Sequence, residues 1–356
     1  MADVLGLGMS HSPLLCKTDR DMLAALRRTL ASERVPDAAK DPRNWPAGMR
    51  EEWDDDEGVT AARQHRERCF TAIRSLRTRL DRFKPDAVVI LGDDQYENFT
   101  EDVVPPFCVY ITDAMASRPF AAEPGSALPV RNIWNEGPET VFSHRGHPGV
   151  GRWLANQLSA EGISLPYAYR LRYERGLAHA FINTLLFLDV DRKGFPYPVV
   201  PFQVNCYGRR VIAQHGSMAA LGAMSDEERL DPPSPAPWRC FDLGRAAARV
   251  MAASPWRVAL IASSSWSHAF LTPKHHLLYP DVAADRAMYE TLRAGDYDAW
   301  RSTPLARIED SGQQEMLNWL CLAGAMAELG RRPSESTFVE SHIFNSNKVF
   351  AVFPPA

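Results

Sequence analysis

Polar side chains that could hold a metal ion follow three apolar stretches of the sequence. His11 follows VLGLGM, His268 follows ALIASSS, and GDDQYENF, which contains Asp94 and Gln95, follows AVVIL. Strands of an α/β protein commonly end in loops that carry the reactive side chains. Together with Glu315 in SGQQEMLNWL, these residues predict a pocket with imidazole and carboxylate groups, which favours a metal-dependent enzyme. The loop at Asp94 could still be only a polar turn.

The stretch RYERGLAHAF offers two further polar groups. Arg175 and His179 are four residues apart and would face the same way in a helix. The plainer interpretation is an exposed polar turn before the apolar NTLLFL, just as Glu315 could be a carboxylate favoured at a helix start. We predict Arg175 and His179 as catalytic residues of the same pocket.

Short apolar runs alternate with helical periodicity along the chain. The predicted strands are VLGLGM, DAVVILG, FCVYIT, YPVVPFQV, RVALIASSS and KVFAVF, and helices are predicted at 149–160, 241–253 and 313–329. The alternation predicts an α/β fold, with a central mixed sheet and helices on both faces. Residues 18–57 lack a strand pattern, and we predict that they form a helical insertion or lid. Residues 117–146 are expected to form a long loop. We expect residues 1–356 to form a single domain.

Composition excludes several functional classes. The chain has 356 residues, 45% of them hydrophobic, and a formal net charge of -4, so it has no basic surface for nucleic acid. The N-terminal apolar stretch lacks a basic start and predicts neither a signal peptide nor a membrane span. Six cysteines are scattered without a C-x-x-C pair, which favours reduced thiols. We therefore expect a cytoplasmic protein.

Eight stretches occur in an order that resembles a known family. They are GMSHSPLL, DQYENF with DVVPPFCVYI, GHPGVGRWLANQL, ERGLAHAF, PVVPFQVN, RCFDLGRAAARV, SSSWSHAF and GQQEMLNWL. The order is similar to that of the class III extradiol ring-cleavage dioxygenases. The resemblance implies a single α/β domain that holds one non-haem Fe(II) on two histidines and a glutamate. It also implies a reaction that cleaves a catechol ring beside its hydroxyls with O2.

The resemblance assigns roles to individual residues. His11 matches the first histidine ligand and Glu315 the glutamate ligand, while His268 matches the family's acid/base histidine. The second histidine ligand follows an aspartate, and its position falls on Gln95. Another pocket histidine of the family falls on Arg175, which stays protonated and could bind an anion but could not shuttle protons.

The substitution at Gln95 leaves the metal site and the function open. The site could form from His11, Gln95 and Glu315, or it could recruit Asp94 or Asp93. The leading hypothesis is an Fe(II)-dependent dioxygenase for a catechol-like, aminophenol-like or hydroxypyridone-like substrate. The alternatives are a non-oxidative metal-dependent enzyme and a non-catalytic subunit. We expect a homo-oligomer or a pair with a related subunit.

Overall fold

The computed structural model describes residues 3–122, 130–213 and 231–356. Within these ranges the strands are β1 (Val4–Met9), β2 (Ala87–Gly92), β3 (Phe107–Tyr110), β4 (Ala114–Ser117), β5 (Phe142–Arg145), β6 (Tyr167–Ala168), β7 (Val199–Val204), β8 (Val258–Ser263), β9 (Glu335–Val339) and β10 (Lys348–Phe353). The main sheet has the order β6-β3-β7-β2-β8-β1-β10-β9, and β4 pairs with β5 in a separate sheet.

Four neighbouring strands at the centre of the main sheet run parallel. β1 pairs with β8, β8 with β2 and β2 with β7 in the same direction, whereas β3 and β10 flank them antiparallel. The central strands are buried throughout and almost entirely apolar, as expected for parallel strands covered on both faces. Their carboxyl ends therefore open at one edge of the sheet.

Helices cover the sheet on both sides. In the described residues they are α1 (Ala24–Leu30), α2 (Asp37–Lys40), α3 (Ala47–Trp53), α4 (Val59–Phe83), α5 (Pro148–Ala160), α6 (His179–Leu188), α7 (Arg209–Ala213), α8 (Pro237–Ala252), α9 (Val282–Ala294), α10 (Tyr297–Arg301), α11 (Leu305–Asp310) and α12 (Met316–Glu328). Alternate residues of β2 enter two hydrophobic cores: Val88 packs on the side of α4 and α6, and Val89 on the side of α5, α8 and α12. The predicted mixed sheet with helices on both faces is confirmed.

The insertion at 18–57 is helical, as predicted. It contains α1, α2, α3 and two short 3₁₀ helices. Trp45 is buried, and its ring meets that of Trp53 edge-on at 5.6 Å, so these tryptophans anchor the insertion to the core. The predicted loop at 117–146 instead contains β5 and the last residue of β4, and its residues 123–129 lie outside the described ranges. The single domain stays a prediction.

No helix in the described parts of the chain combines the length and the apolar character needed to cross a bilayer.

Two glycines allow α8 and α12 to pack backbone against backbone. A Cβ at Gly244 would lie 1.8 Å from the carbonyl oxygen of Cys321, and one at Gly324 would lie 1.9 Å from that of Phe241. A methyl group fits at neither position, because real contacts of a Cβ are far longer. This close crossing matters for function because Glu315 immediately precedes α12.

Gly244→Ala is expected to lower the free energy of unfolding by about 1–3 kcal/mol, because α8 and α12 must separate to admit the methyl group. Gly137→Ala is the matched control, since nothing lies within 4 Å of a Cβ there. Urea unfolding measures both variants. Equal stability of the two would contradict the described packing.

Candidate metal centre

The parallel strands deliver polar residues to one edge of the sheet. His11 lies two residues beyond β1, and Asp93 directly follows β2. β8 pairs with both strands, so these loops are close neighbours. Glu315 and His179 come from the amino-terminal ends of α12 and α6. The structure therefore brings together residues that are far apart in the sequence, since His11 and Glu315 are separated by 304 positions.

Four side chains form a cluster that could hold a metal ion. One ligand atom from each of His11, Asp93, His179 and Glu315 lies within 4.8 Å of the others. Nε2 of His11 is 3.8 Å from Asp93 Oδ1 and 3.6 Å from Glu315 Oε2, and Nε2 of His179 is 4.0 Å from Asp93 Oδ2. These separations are too long for hydrogen bonds. They fall in the range of about 3.0–4.2 Å expected for two ligands that each lie about 2.1 Å from one ion.

Both imidazoles are held by their Nδ1 atoms. Nδ1 of His11 is 2.9 Å from the carbonyl oxygen of Ser263, and Nδ1 of His179 is 3.0 Å from Glu97 Oε2. The other oxygen of Glu97 accepts the backbone N–H of His179 at 2.8 Å. Partners of this kind fix the tautomer and the ring orientation of metal-binding histidines. In both residues the remaining nitrogen, Nε2, is the one directed at the carboxylates.

Glu315 is buried and hydrogen-bonded on both oxygens. Tyr207 donates its hydroxyl to Oε1 at 2.6 Å, and the backbone N–H of Ser265 donates to Oε2 at 3.1 Å. Burial raises the pKa of Glu315 well above its usual range, and the nearby charge of Asp93 adds to the effect. The hydrogen bonds from Tyr207 and Ser265 lower the pKa of Glu315, but by less than burial and Asp93 raise it.

The cluster concentrates negative charge in a buried place. Asp93 is fully buried, its Oδ1 has no hydrogen-bond partner among the described residues, and burial raises its pKa. Burial lowers the pKa of His179, but the charges of Glu97, Asp93 and Glu315 outweigh it and raise the value to about 10. A divalent cation would offset the same carboxylates and occupy the orphaned oxygen of Asp93. The residues therefore fit a metal ion.

His268 lies beside the cluster without belonging to it. Its Nε2 is 3.4 Å from Glu315 Oε1, and its Nδ1 is buried without a hydrogen-bond partner in the described part of the chain. Burial lowers the pKa of His268 to about 3, so the imidazole is neutral. A neutral imidazole next to a metal site can accept a proton.

Curated proteins are similar to this chain, whereas no family model matches it. The 2,3-dihydroxyphenylpropionate/2,3-dihydroxicinnamic acid 1,2-dioxygenase of Paraburkholderia phymatum is 30% identical over 222 residues, which are 62% of this chain and 53% of the relative. The protein of the same name from Comamonas testosteroni is 25% identical over 241 residues, 68% of this chain and 60% of the relative. The chain resembles the class III extradiol dioxygenases.

This relationship confirms the resemblance predicted from the sequence. The 2,3-dihydroxyphenylpropionate/2,3-dihydroxicinnamic acid 1,2-dioxygenase 2 of Pseudomonas putida is 29% identical over 134 residues, which are 38% of this chain and 35% of the relative. The chain spans about half the length of most curated relatives that it matches.

Gln95, which the sequence resemblance matches to a histidine ligand, lies at the margin of the cluster. Its Nε2 donates to Asp93 Oδ2 at 3.1 Å and to Glu315 Oε1 at 3.5 Å. In this orientation it bridges two carboxylates as a donor, while His179 supplies the second imidazole of the cluster. Whether Gln95 ligates a metal stays a prediction.

The other two polar positions predicted from the sequence, Asp94 and Arg175, make hydrogen bonds to nearby backbone groups. Asp94 lies outside the cluster, and its carboxylate accepts the backbone N–H groups of Glu97, Asn98 and Phe99. Asp94 thus shapes the loop that carries Glu97. Arg175 donates to the carbonyl oxygens of Arg118 and Pro119, which ties its turn to the segment after β4. A ligand role for Asp94 and catalytic roles for Arg175, His179 and His268 stay predictions.

Three functional neighbours were missed from the sequence. Glu97 and Tyr207 hold His179 and Glu315, and Asp285 lies behind His268. Glu97 stands in the same polar stretch as Gln95 and could have been suspected there. Asp285, in the first turn of α9, has no such signal, because an acidic residue is common at a helix start.

Asp285 connects the loops that carry His268 and Glu315. Its fully buried carboxylate accepts the backbone N–H of Ser267 at 3.0 Å, Nε2 of Gln313 at 2.7 Å and Nδ2 of Asn347 at 2.6 Å. Ser267 directly precedes His268, and Gln313 is two residues before Glu315. One carboxylate therefore fixes both loops relative to each other.

Asp285→Asn is expected to lower the free energy of unfolding at pH 8 by about 1–3 kcal/mol. Burial raises the pKa of Asp285 to about 7, so the carboxyl is ionised at pH 8 and accepts from every donor. The amide of asparagine would place N–H groups against those donors. Asp298→Asn, at an exposed position of α10, is the control and should change stability by less than about 0.5 kcal/mol. Similar losses in both variants would contradict the role of Asp285.

Proposed function

We propose that the protein is a non-haem Fe(II)-dependent extradiol-type dioxygenase that opens an aromatic ring with O2. The substrate class is catechol-like, aminophenol-like or hydroxypyridone-like. The relatives are named as dioxygenases of 2,3-dihydroxyphenylpropionate, which is a catechol with a side chain. Assembly with itself or with a related subunit is part of the proposal.

One observation carries the proposal: two imidazoles are anchored by Nδ1 and direct Nε2 at buried carboxylates, His11 at Asp93 and Glu315 and His179 at Asp93. Two histidines and a carboxylate are the ligand set typical of non-haem Fe(II) oxygenases. His11, His179 and Glu315 would supply that set here, and Asp93 stands as a further oxygen ligand. An Fe(II) ion held there would supply the positive charge that binds the two heteroatoms of the substrate and would relay electrons from the substrate, which is oxidised, to O2.

The chain's own residues would prepare the substrate. His268 lies beside Glu315 and outside the cluster, and it would accept a proton from a substrate hydroxyl at Nε2. Tyr207 holds Glu315 in position by its hydrogen bond to Oε1. Apart from His179, whose side chain is 24% exposed, the clustered residues are nearly closed to solvent, so water is largely excluded and access lies on the His179 side.

A second candidate function is favoured by Asp93. A ligand set with two carboxylates contains more hard oxygen donors than the ligand set of two histidines and one carboxylate. It therefore suits non-redox divalent ions as well. A non-oxidative metal-dependent reaction on the same scaffold would use the same cluster without consuming O2.

Metal content and O2 uptake together test the proposal. The full chain is reconstituted with Fe(II) without oxygen, desalted, and supplied with O2 and catechol, 2-aminophenol or a hydroxypyridone. We expect about one Fe(II) per chain and O2 uptake with a ring-opened product from at least one of them. Glu315→Gln should lose both, whereas Glu290→Gln, on the exposed face of α9, should keep both.

The outcomes separate the three hypotheses. Bound metal without O2 uptake on any substrate would favour the non-oxidative enzyme. A natural chain that retains no metal would be a non-catalytic subunit, and the proposed function would be wrong.

A further inference from the structure

Lys348 brings a charge into the core of the protein. It is the first residue of β10 and is fully buried. Its ammonium group donates to the backbone carbonyl oxygens of Phe344, at 2.8 Å, and of Ser346, and it forms no ion pair with a carboxylate in the described ranges. Burial lowers the pKa of Lys348 to about 8, although nearby Cys69 and Glu52 oppose the shift. Because a buried charge costs stability unless it is hydrogen-bonded, the two carbonyl groups account for its place in the core.

These two carbonyl groups belong to the tight turn 344–347. The N–H of Ser346 donates to the carbonyl oxygen of Phe344 at 2.7 Å, and Asn345 has a left-handed backbone with a φ of 63°. Asparagine tolerates this region better than most residues. Lys348 thus binds the turn on both sides of Asn345 and fixes its shape.

The same turn pairs with the segment that carries His268. The carbonyl oxygen of Asn345 accepts the N–H of Ala269 at 2.6 Å, and that of Asn347 accepts the N–H of Trp266 at 3.2 Å. An isolated antiparallel bridge also joins His268 itself to the turn. The backbone on either side of His268 is therefore held by the turn that Lys348 fixes.

The imidazole of His268 depends on its backbone for its position. Its Nδ1 has no hydrogen-bond partner in the part of the chain that the structure describes, whereas Nδ1 of His11 and Nδ1 of His179 are both anchored. Its Nε2 lies 3.4 Å from Oε1 of Glu315. A shift of the backbone would move Nε2 relative to the metal centre, and a misplacement of about 1 Å can cost about 100-fold in rate.

We propose that Lys348 is a positioning residue, which holds the turn 344–347 and thereby places His268 for proton transfer at the candidate metal centre. The proposal rests on the proposed function, in which His268 accepts a proton from the substrate. Lys348 is not a member of the metal cluster. Its loss should therefore slow the reaction of bound substrate without weakening the binding of metal or substrate.

Amide hydrogen exchange on the metal-free full chain tests the link between Lys348 and the His268 segment. Lys348→Met keeps an unbranched side chain but removes the charge and the donors. The amides of Trp266 and Ala269, which donate to the turn, are expected to exchange about 10-fold faster or more, because local opening becomes easier. Lys193→Met, at an exposed position, is the matched control and should leave both amides unchanged. NMR measures the two amides separately.

Steady-state kinetics of the Fe(II)-loaded chain test the consequence for the reaction. The substrate is whichever of catechol, 2-aminophenol and the hydroxypyridone the natural chain converts. Lys348→Met should lower kcat by about 10–100-fold, while KM and the Fe(II) content change by less than about 2-fold. A lysine needed only for folding would instead lower metal content and kcat together. Lys193→Met should keep the kcat of the natural chain.

Lys348→Gln is the second variant and is decisive where Lys348→Met does not fold. It keeps a neutral donor on a shorter side chain, so the same changes in exchange and kcat are expected with smaller size. Unchanged amide exchange or unchanged kcat in the folded variants would make the proposal wrong while the proposed function stands. Failure of both variants to fold, or loss of metal together with kcat, would make Lys348 a folding residue and overturn the proposal. A natural chain that converts none of the three compounds would refute the proposed function, and this proposal with it.

Discussion

His179→Ala is expected to weaken Fe(II) binding to the anaerobically reconstituted protein by about 100-fold or more. Loss of a residue that merely orients a ligand typically costs about 10–100-fold in metal affinity, and His179 is itself in the cluster. The remaining His11, Glu315 and Asp93 would leave one side of the site open. Competition with a chromogenic chelator measures the affinity.

Gln95→Ala is the variant with which the metal affinity of His179→Ala is compared. Gln95 donates to Asp93 and Glu315 at the margin of the cluster, so its loss should cost about 10-fold or less. If Gln95→Ala loses the metal and His179→Ala keeps it, the amide is the ligand and our assignment of His179 is wrong. Glu97→Gln should fall between the two, since it removes the charge that holds Nδ1 of His179.

His268→Ala is expected to lower turnover by about 10²–10⁴-fold while Fe(II) content stays unchanged. A positioned acid/base group typically contributes this much, and His268 lies outside the cluster. Metal content, the unfolding midpoint and kcat are measured on the same preparation, so that loss of folding is recognised.

The control for His268 is His275→Ala. His275 stacks on Tyr279 at 4.2 Å and takes no part in the cluster, so kcat should remain close to that of the natural chain. If His268→Ala retains full turnover, His268 is structural. If it loses the metal as well, His268 is a ligand and not an acid/base group.

The predicted strands agree with the structure because each is encoded locally. β1, β2 and β8 are runs of apolar and β-branched residues that end in polar loops, and parallel strands place those loops at one edge. That argument was enough to expect His11, Glu315 and His268 in one pocket. The helix α4 was not predicted, although Cys69, Ile73, Leu76 and Leu80 follow helical spacing.

The sequence placed His179 in the pocket but did not identify it as the second imidazole of the cluster. His179 and Asp93 are 86 residues apart, and only the packing of α6 against β2 and β8 brings the first turn of α6 to the Asp93 loop. The stretch AHAF around His179 has no pattern from which this arrangement could be predicted. The sequence predicts Gln95 as a ligand and His179 as a catalytic residue, and both assignments stay predictions.

Isotope labelling tests the central claim, which is that this cluster supports ring opening by O2. The Fe(II)-loaded protein is supplied with ¹⁸O₂ and a catechol with a carboxylate side chain, and the molecular mass of the product is measured by mass spectrometry. The account predicts a ring-opened product that carries both labelled atoms, formed by the natural chain and not by His179→Ala. A substrate converted without label, or left intact by protein that holds its metal, would contradict it.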